Sequence, residues 1–367
     1  MSWLASQRTA LVLGGGGLKG FAHIGVMRAL KERGIRPQRY AGTSIGALIA
    51  AARVAGVSLD EMEQRAKACS KRDLFRLNRV GMLIERSRAS SLYLEQPLRD
   101  LVDAVTPDVT FRQLGNKLLV NTVDLERGTI VMWGLPGLDD VNVRDAVYAS
   151  CALPGFFPPA QVGGRVCVDG GTIDNLPTAI ASLGVDAIIA VDVGNTDLGR
   201  AQDVARRGFA AIYMRAASVM MHALQLNPLA TWWGPPMLLI RPRVGHHDWF
   251  SFSHSDEMIQ AGYEGTLSAL DELVEGPLAR DLIYPRRWIR LSVNREKCIG
   301  CGICTTLAPG IMEMDAEHKA FAAREDHEWS PADGEFVGHC PTSAITVESL
   351  VSRRRTTRPI EQATVDR

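Results

Sequence analysis

The sequence predicts an α/β protein with a mostly parallel central sheet, followed by a small α+β domain. Between residues 9 and 194, short apolar runs alternate with segments of helical periodicity, which is typical of a parallel sheet covered by helices on both faces. The chain has 367 residues, enough for two domains. Near the C-terminus, a cysteine cluster between two alternating strands indicates the second domain.

The elements of the large domain are predicted in order from its first apolar run. Thr9–Leu13 ends in glycines and is predicted to be a buried strand. Apolar residues then recur at helical spacing over 21–33, and Gly34 supplies a C-terminal stop. The further predicted elements are strands at 40–41, 117–123, 129–133, 166–168 and 187–193 and helices at 45–54 and 256–274, with a helical pattern after Gly194.

The small domain is predicted from alternating residues on either side of its cysteines. Ile289, Leu291 and Val293 alternate with polar residues, and Ile345 and Val347 do the same further on, so we expect these two strands to pair. We predict a first domain over residues 1–284 with its core at about 9–194, a second domain over 285–350, and a disordered polar tail over 351–367.

Composition limits the classes of partner and compartment. Apolar residues make up 46% of the chain, and 41 Lys and Arg balance 41 Asp and Glu, which argues against nucleic acid binding driven by net charge. Four of the seven cysteines have metal-ligand spacing and the others are isolated, which suits a reducing cytoplasm. The sequence shows no secretory leader and no apolar run that would span a bilayer. We therefore expect a cytoplasmic protein, with peripheral contact at the inner membrane face left open.

A glycine run directly after the first strand is the first candidate functional motif. Strand, glycine run and helix also describe a dinucleotide-binding turn, but the second strand ends without the acid that would hold a ribose. The run is not a P-loop either, because Lys19 precedes the last glycine, Gly20, and no Ser or Thr follows. We expect the backbone N–H groups of Gly15, Gly16 and Gly17 to converge on an anion, which in acyl transfer is the tetrahedral oxyanion.

A serine lies at the second predicted strand-to-helix turn. Gly42 and Gly46 flank Ser44 in a Gly-x-Ser-x-Gly pattern, and small neighbours permit a sharp turn that exposes the hydroxyl. A helix-capping serine is the competing interpretation of such a short motif. The glycine run one helix upstream favours a nucleophile.

A carboxylate at the end of a later strand is the candidate base. Asp169 is followed by Gly170 and Gly171, which leave its carboxylate uncrowded, although an ordinary Asp-Gly turn is the alternative. A histidine base would come from four residues that lie in no recognisable strand-end loop: His222, His246, His247 and His254.

These motifs resemble those of the patatin-like phospholipase family. The resemblance extends from about residue 9 to 194 and is carried by Gly15-x-Gly17-x-x-Gly20, Gly42-Thr43-Ser44-Ile45-Gly46, Asp169-Gly170-Gly171 and the segment 149–158. It implies a three-layer α/β fold, a Ser44–Asp169 dyad without histidine, and hydrolysis of acyl esters in phospholipids or lysophospholipids. His23 is then expected to be packed rather than catalytic, and Lys19 either contacts a phosphate headgroup or is solvated.

Four cysteines form a second, unrelated motif. Cys298, Cys301 and Cys304 are spaced by two residues, and Cys340 precedes a proline. Zinc usually uses paired C-x-x-C knuckles, so the triplet favours an iron–sulfur cluster. The segment 288–348 resembles single-cluster bacterial ferredoxins, which implies one 4Fe–4S cluster.

The sequence therefore predicts a serine ester hydrolase fused to an iron–sulfur domain. The expected partners are a lipid or lysolipid substrate and, through the cluster, a redox partner protein. The cluster's role stays open between a structural staple, a sensor and an electron-transfer port. A second hypothesis is an iron–sulfur redox or sensor protein whose patatin-like domain binds lipid without significant turnover.

Overall fold

The chain divides into two compact units, Met1–Ile283 and Tyr284–Arg367. The computed structural model describes residues 2–78, 91–115, 117–194, 204–230, 232, 234–271, 273, 287–329, 336–337 and 340–350. The tail that is predicted to be disordered, 351–367, lies outside these residues.

The first unit contains strands and helices in alternation. Its strands are β1 (Thr9–Leu13), β2 (Arg39–Thr43), β3 (Leu118–Asp124), β4 (Thr129–Trp133), β5 (Ala160–Val162), β6 (Arg165–Asp169), β7 (Ala187–Val191) and β8 (Met237–Ile240). Its helices are α1 (Ser2–Ser6), α2 (Ala22–Glu32), α3 (Ile45–Val54), α4 (Leu59–Ala68), α5 (Lys71–Leu74), α6 (Gln96–Val105), α7 (Phe111–Leu114), α8 (Val143–Cys151), α9 (Thr178–Ala181), α10 (Phe209–Ala230) and α11 (Ser255–Asp271). Short 3₁₀ turns occur at Gly17–Phe21, Gly170–Thr172 and Val204–Arg207.

The described strands of this unit form one eight-stranded sheet in the order β5-β6-β3-β2-β1-β7-β8, with β4 paired to β3. The strands β3, β2, β1, β7 and β8 are parallel, whereas β4, β5 and β6 pair antiparallel. Every residue of β1, β3 and β7 is buried, as expected for strands covered on both faces. The predicted α/β class with a mostly parallel sheet is confirmed. The helical pattern expected after Gly194 is wrong at Met237–Ile240, which is an additional strand.

The pairing of β3 brings the ends of β2 and β6 together. One edge of β3 is taken by β4 along residues 120–124, so β2 and β6 share the other edge. The last residue of β2, Thr43, lies opposite Asn121 of β3. The last residue of β6, Asp169, lies opposite the next residue of β3, Thr122. Because β6 runs antiparallel to β3, two strands of opposite direction end at the same level of the sheet. The residues that follow them are therefore neighbours.

The second unit is a small α+β structure. It contains β9 (Arg287–Val293), α12 (Ile303–Leu307), β10 (Met312–Met314), β11 (Ala320–Ala322), β12 (Asp326–Trp329) and β13 (Ile345–Ser349). Strand β9 lies between β12 and β13, and β10 pairs with β11. The predicted pairing of the two alternating strands is confirmed, with Val293 opposite Ile345 and Leu291 opposite Val347. Among the described residues, no helix has the length and apolar character needed to cross a membrane.

Candidate active site

Ser44 lies between the end of β2 and the first residue of α3. Its backbone has φ 55° and ψ −127°, a conformation that is costly for a residue other than glycine. A strained conformation persists only where the surrounding contacts hold the residue in place. Here the conformation places Ser44 at the N-terminus of α3. This is the sharp strand-to-helix turn that the Gly-x-Ser-x-Gly pattern predicts.

Close packing of backbones explains why glycines flank this turn. A Cβ atom on Gly46 would lie 2.1 Å from the carbonyl oxygen of Leu13, so only glycine lets α3 begin against the end of β1. A Cβ atom on Gly15 would in turn lie 3.2 Å from the Cβ atom of Ser44. Residues 14–17, the glycine loop, therefore leave no room for a side chain between Gly15 and the serine.

Ser150 on α8 holds the Ser44 backbone, a role that the sequence does not signal. The Ser44 N–H donates to the Ser150 Oγ at 2.9 Å, and that hydroxyl donates to the Asn121 carbonyl at 2.7 Å. Ser150 is fully buried, so both hydrogen bonds are protected from water. They tie the strained turn to β3, the strand on which β2 and β6 end.

Asp169 meets Ser44 at this point. The Ser44 hydroxyl lies close enough to the Asp169 carboxylate to lower the pKa of that group. The Gly171 N–H donates to the Asp169 Oδ1 at 2.8 Å, and the Asp169 N–H donates to the Ala152 carbonyl at 3.0 Å. Gly170 is required here because a Cβ atom would lie 2.5 Å from the Asn121 carbonyl.

The surroundings of Asp169 make it a stronger base than an ordinary aspartate. Its side chain is 4% exposed. Desolvation raises the pKa of Asp169 to about 6, although the hydrogen bonds from the Ser44 side chain and the Gly171 N–H lower it. The carboxylate is ionised at neutral pH and has a proton affinity closer to that needed for general base catalysis.

The glycine loop is fixed by Asn175. The Gly15 N–H donates to the Asn175 carbonyl at 3.3 Å, and the Asn175 Nδ2 donates to the Gly15 carbonyl at 3.0 Å. Gly17 has φ 60°, which favours glycine. Among the described residues no acceptor is recorded for the N–H groups of Gly16 and Gly17. These two amides are therefore better placed to receive an anion than Gly15.

Two buried polar side chains, His23 and Lys19, follow this loop in the chain. The His23 Nε2 is hydrogen-bonded to the Gly14 carbonyl at 2.8 Å, and desolvation lowers the pKa of His23 to about 4, so the ring is neutral and packed, as expected. Lys19 is 5% exposed and donates to the Gly194 carbonyl at 3.3 Å. The expectation of a solvated Lys19 is wrong, because its ammonium group lies inside the protein.

An apolar cavity of about 140 Å³ extends from the serine into the protein. Ser44 and Asp169 are its polar members, together with Arg65. Its apolar lining comes from α3, α4, α6 and the segment at Trp249 and Phe250, and includes Leu48, Ile49, Ala52, Met62, Leu98 and Leu101. Among the described residues no histidine lines it. The cavity suits a hydrocarbon chain whose polar end lies at Ser44.

In the second unit, all four predicted ligand cysteines line one small cavity. Cys298, Cys301, Cys304 and Cys340 are free thiols around it, with Met314, Ala320 and Ile345 nearby. Gly300 and Gly302 have φ 72° and 74°, conformations that turn the chain tightly between the first three cysteines.

Backbone donors point at two of these sulfurs. The Ala320 N–H donates to the Cys298 Sγ at 3.4 Å, and the Ala344 N–H donates to the Cys340 Sγ at 3.3 Å. Desolvation opposes ionisation of Cys340, but hydrogen bonds from Ala344 and Thr342 outweigh it and lower the pKa of the thiol. Converging thiols with N–H donors fit an iron–sulfur cluster, whose potential such bonds tune.

A family model matches part of each unit. A model of the patatin-like phospholipase family matches residues 11–182. A model described as the 4Fe-4S single cluster domain of Ferredoxin I matches residues 293–347. The two matched ranges contain Ser44, Asp169 and the four cysteines.

Individual relatives match part of the chain. An uncharacterized NTE family protein of Mycobacterium tuberculosis is 39% identical over 200 residues, covering 54% of this chain and 52% of the relative. Lysophospholipase NTE1 of Coccidioides immitis is 29% identical over 335 residues, covering 77% of this chain and 20% of the relative. The chain thus spans about half the length of the mycobacterial relative and a fifth of the fungal one. Among solved structures, it is similar to VipD from Legionella pneumophila, with a TM-score of 0.35 and 15% identity, covering 72% of this chain and 67% of that one.

Proposed function

The chain carries a patatin-like phospholipase domain and a single-cluster 4Fe-4S domain, and on this premise we propose that it is a serine hydrolase of phospholipid or lysophospholipid acyl esters. Ser44 is the nucleophile and Asp169 is the base. The observation that carries the proposal is that Ser44 and Asp169 lie together at one apolar cavity, close enough for the serine hydroxyl to lower the pKa of the carboxylate.

The proposed reaction follows from this geometry. Asp169 accepts the Ser44 proton as the Oγ attacks the ester carbonyl, and the N–H groups of Gly16 and Gly17 receive the oxyanion, with Gly15 holding the loop. The tetrahedral intermediate collapses to an acyl-serine and releases the alcohol, which takes the proton from Asp169. Water then attacks the acyl-serine as Asp169 accepts its proton. The second tetrahedral intermediate collapses to release the fatty acid, and Asp169 returns the proton to the Ser44 Oγ. A carboxylate is a weak base for an alcohol, so the loop amides and the N-terminus of α3 supply much of the stabilisation.

Access to lipid is supported by one face of α10. Ile212, Val219, Met220 and Leu224 are 45–58% exposed, while Met221 on the opposite side is buried. A Cβ atom on Gly171 would lie 2.9 Å from the Met221 Cε, so this helix packs directly beside the Asp-Gly-Gly turn. We propose that the exposed face touches the surface of a membrane or micelle and brings lipid to Ser44.

For the second unit we propose one 4Fe–4S cluster held by Cys298, Cys301, Cys304 and Cys340. Its main proposed role is a structural staple, which means that it stabilises the fold of this unit. Its core is small, and two of its buried residues, Cys298 and Cys304, are proposed ligands. The competing redox or sensory role is favoured by one observation: Cys301 is exposed, so a partner protein reaches the edge of the site.

Turnover of a short-chain nitrophenyl ester and of a lysophospholipid tests the hydrolase. Ser44→Ala is expected to lower kcat by about 10⁴-fold or more, and Asp169→Asn by a comparable factor, with circular dichroism unchanged. Ser182→Ala, a serine outside the cavity, is the matched control and is expected to match wild type. Retained turnover in Ser44→Ala would place the chemistry elsewhere. A histidine base would be favoured if one histidine variant lost as much turnover as Asp169→Asn does. The variants to compare are His222→Ala, His246→Ala, His247→Ala and His254→Ala.

A further inference from the structure

Two neighbouring histidines and a glutamate converge beside the glycine loop. They lie in the segment that joins β8 to α11 and in the first turn of α11. One ligand atom from each of His246, His247 and Glu257 lies within 4.8 Å of the others. The His247 Nε2 lies 3.6 Å from the Glu257 Oε2. In a tetrahedral zinc site with bonds of about 2.0–2.1 Å, ligand atoms lie about 3.3 Å apart, so only small side-chain rotations would close this group around an ion.

His247 is the most buried member of the group. Its side chain is 6% exposed, and its Nε2 faces the Glu257 carboxylate. Its ring lies between those of His246 and His254, at centroid distances of 4.0 and 5.0 Å. Imidazole and carboxylate donors are therefore gathered around a largely buried ring, as in a zinc site.

His254 supplies an outer interaction. Its Nδ1 is hydrogen-bonded to the Glu257 Oε1 at 3.2 Å, which leaves the Oε2 directed at His247. Outer partners of this kind orient metal ligands. The charge of the buried Lys19 opposes a cation nearby, but Asp192 and Asp248 both interact with that ammonium group and offset it.

We propose that His246, His247 and Glu257 bind a divalent transition metal of the zinc class, with His254 orienting the carboxylate. Two imidazoles and one carboxylate form a donor set that zinc favours, and three protein ligands leave a position for water. Sequence reasoning treats these histidines only as alternative bases for Ser44. The geometry groups them with each other instead.

The metal would stabilise the wall of the active site. Trp249 follows the two histidines closely, and its carbonyl accepts the Leu18 N–H at 2.8 Å. A Cβ atom on Gly17 would lie 2.4 Å from the same carbonyl oxygen. Trp249 and Phe250 also line the apolar cavity. A metal that fixes His246 and His247 to α11 therefore holds Trp249 against the oxyanion loop.

Zinc content and zinc K-edge EXAFS of the untagged full-length protein test the proposal. The iron–sulfur cluster is kept loaded anaerobically, so that the cysteines do not take up zinc. After equilibration with zinc and dialysis, we expect about one zinc per chain in wild type and in the control His222→Ala, with N/O scatterers at about 2.0–2.1 Å and no sulfur shell at about 2.3 Å.

Two variants make the result decisive. His247→Ala and Glu257→Gln are both expected to lose at least nine-tenths of the retained zinc. Glu257 is an exposed side chain, so its replacement keeps the test valid if His247→Ala does not fold. Zinc content equal in wild type and Glu257→Gln, no zinc retained by wild type, or a sulfur shell in wild type would each overturn the proposal.

Discussion

The two candidate sites of this protein are assembled in opposite ways. Ser44 and Asp169 are far apart in the chain and meet because β2 and β6 end at adjacent positions on one edge of β3. Three of the four cysteines lie in one short segment that ends in α12, and the fourth follows in the last part of the same unit. The first site depends on the long-range register of its strands. The second depends on local turns around the iron–sulfur cluster that we propose for it. A substitution in the first is therefore expected to change chemistry, and one in the second to change cofactor content and stability.

Among the tests of this difference between the two sites, the largest effect on turnover is expected from a substitution at Ser150. Ser150→Ala removes the acceptor of the Ser44 N–H and the donor to Asn121, so the strained turn relaxes and the nucleophile moves. We expect kcat for a nitrophenyl ester to fall by about 10–100-fold, with KM changed much less. Ser182→Ala is the control. Wild-type kcat in Ser150→Ala would mean that register alone fixes Ser44.

The pH profile of turnover is the next test. Asp169 must be ionised to accept the serine proton, and desolvation raises its pKa to about 6. We expect kcat/KM to be level above about pH 6 and to fall about tenfold per pH unit below it. An exposed aspartate would keep full activity to about pH 4. A profile without a fall between pH 6 and 4.5, measured where the protein stays folded, would contradict the assignment of Asp169.

The exposed face of α10 is expected to affect lipid but not small esters. Met220→Asp combined with Leu224→Asp places charges on that face. We expect binding to phospholipid vesicles in a sedimentation assay to fall by about tenfold or more, because the apolar area that enters the interface is lost. Nitrophenyl ester turnover should remain near wild type. Unchanged vesicle binding would remove α10 from the proposal.

The smallest effect on turnover is expected from the cysteine site. Cys298→Ser should abolish the visible absorption and the EPR signal of the reduced cluster in anaerobically purified protein. Ester turnover in the same sample should stay within about threefold of wild type if the cluster is a staple. A large change in turnover between oxidised and reduced wild type, absent from Cys298→Ser, would favour a sensor instead.

Much of the candidate catalytic site follows from local sequence. Ser44, Asp169 and the glycines around them stand at strand ends, where the apolar pattern stops and small residues begin, so their positions are readable from the sequence. The four cysteines are readable from spacing alone. The strand-end motifs and the cysteine spacing are both recognisable because residues with this chemistry are rare at strand ends and at this spacing.

Other features depend on tertiary contacts that no local pattern encodes. Ser150 lies inside a helical pattern and resembles any small helix residue until α8 packs against β3. Met237–Ile240 is a short apolar run between prolines, and only its pairing with β7 distinguishes it from a helix segment. Lys19 is expected at the surface from its charge, but its ammonium group donates a hydrogen bond to the Gly194 carbonyl inside the protein.

The central claim is that Ser44 is an activated nucleophile beside Asp169, and covalent labelling tests it most directly. A fluorophosphonate probe should modify one site per chain in the native protein, and peptide mass spectrometry should assign the adduct to Ser44. Asp169→Asn should slow the labelling strongly, and prior unfolding should abolish it. An adduct on another residue, or equal labelling of wild type and Ser44→Ala, would contradict the account.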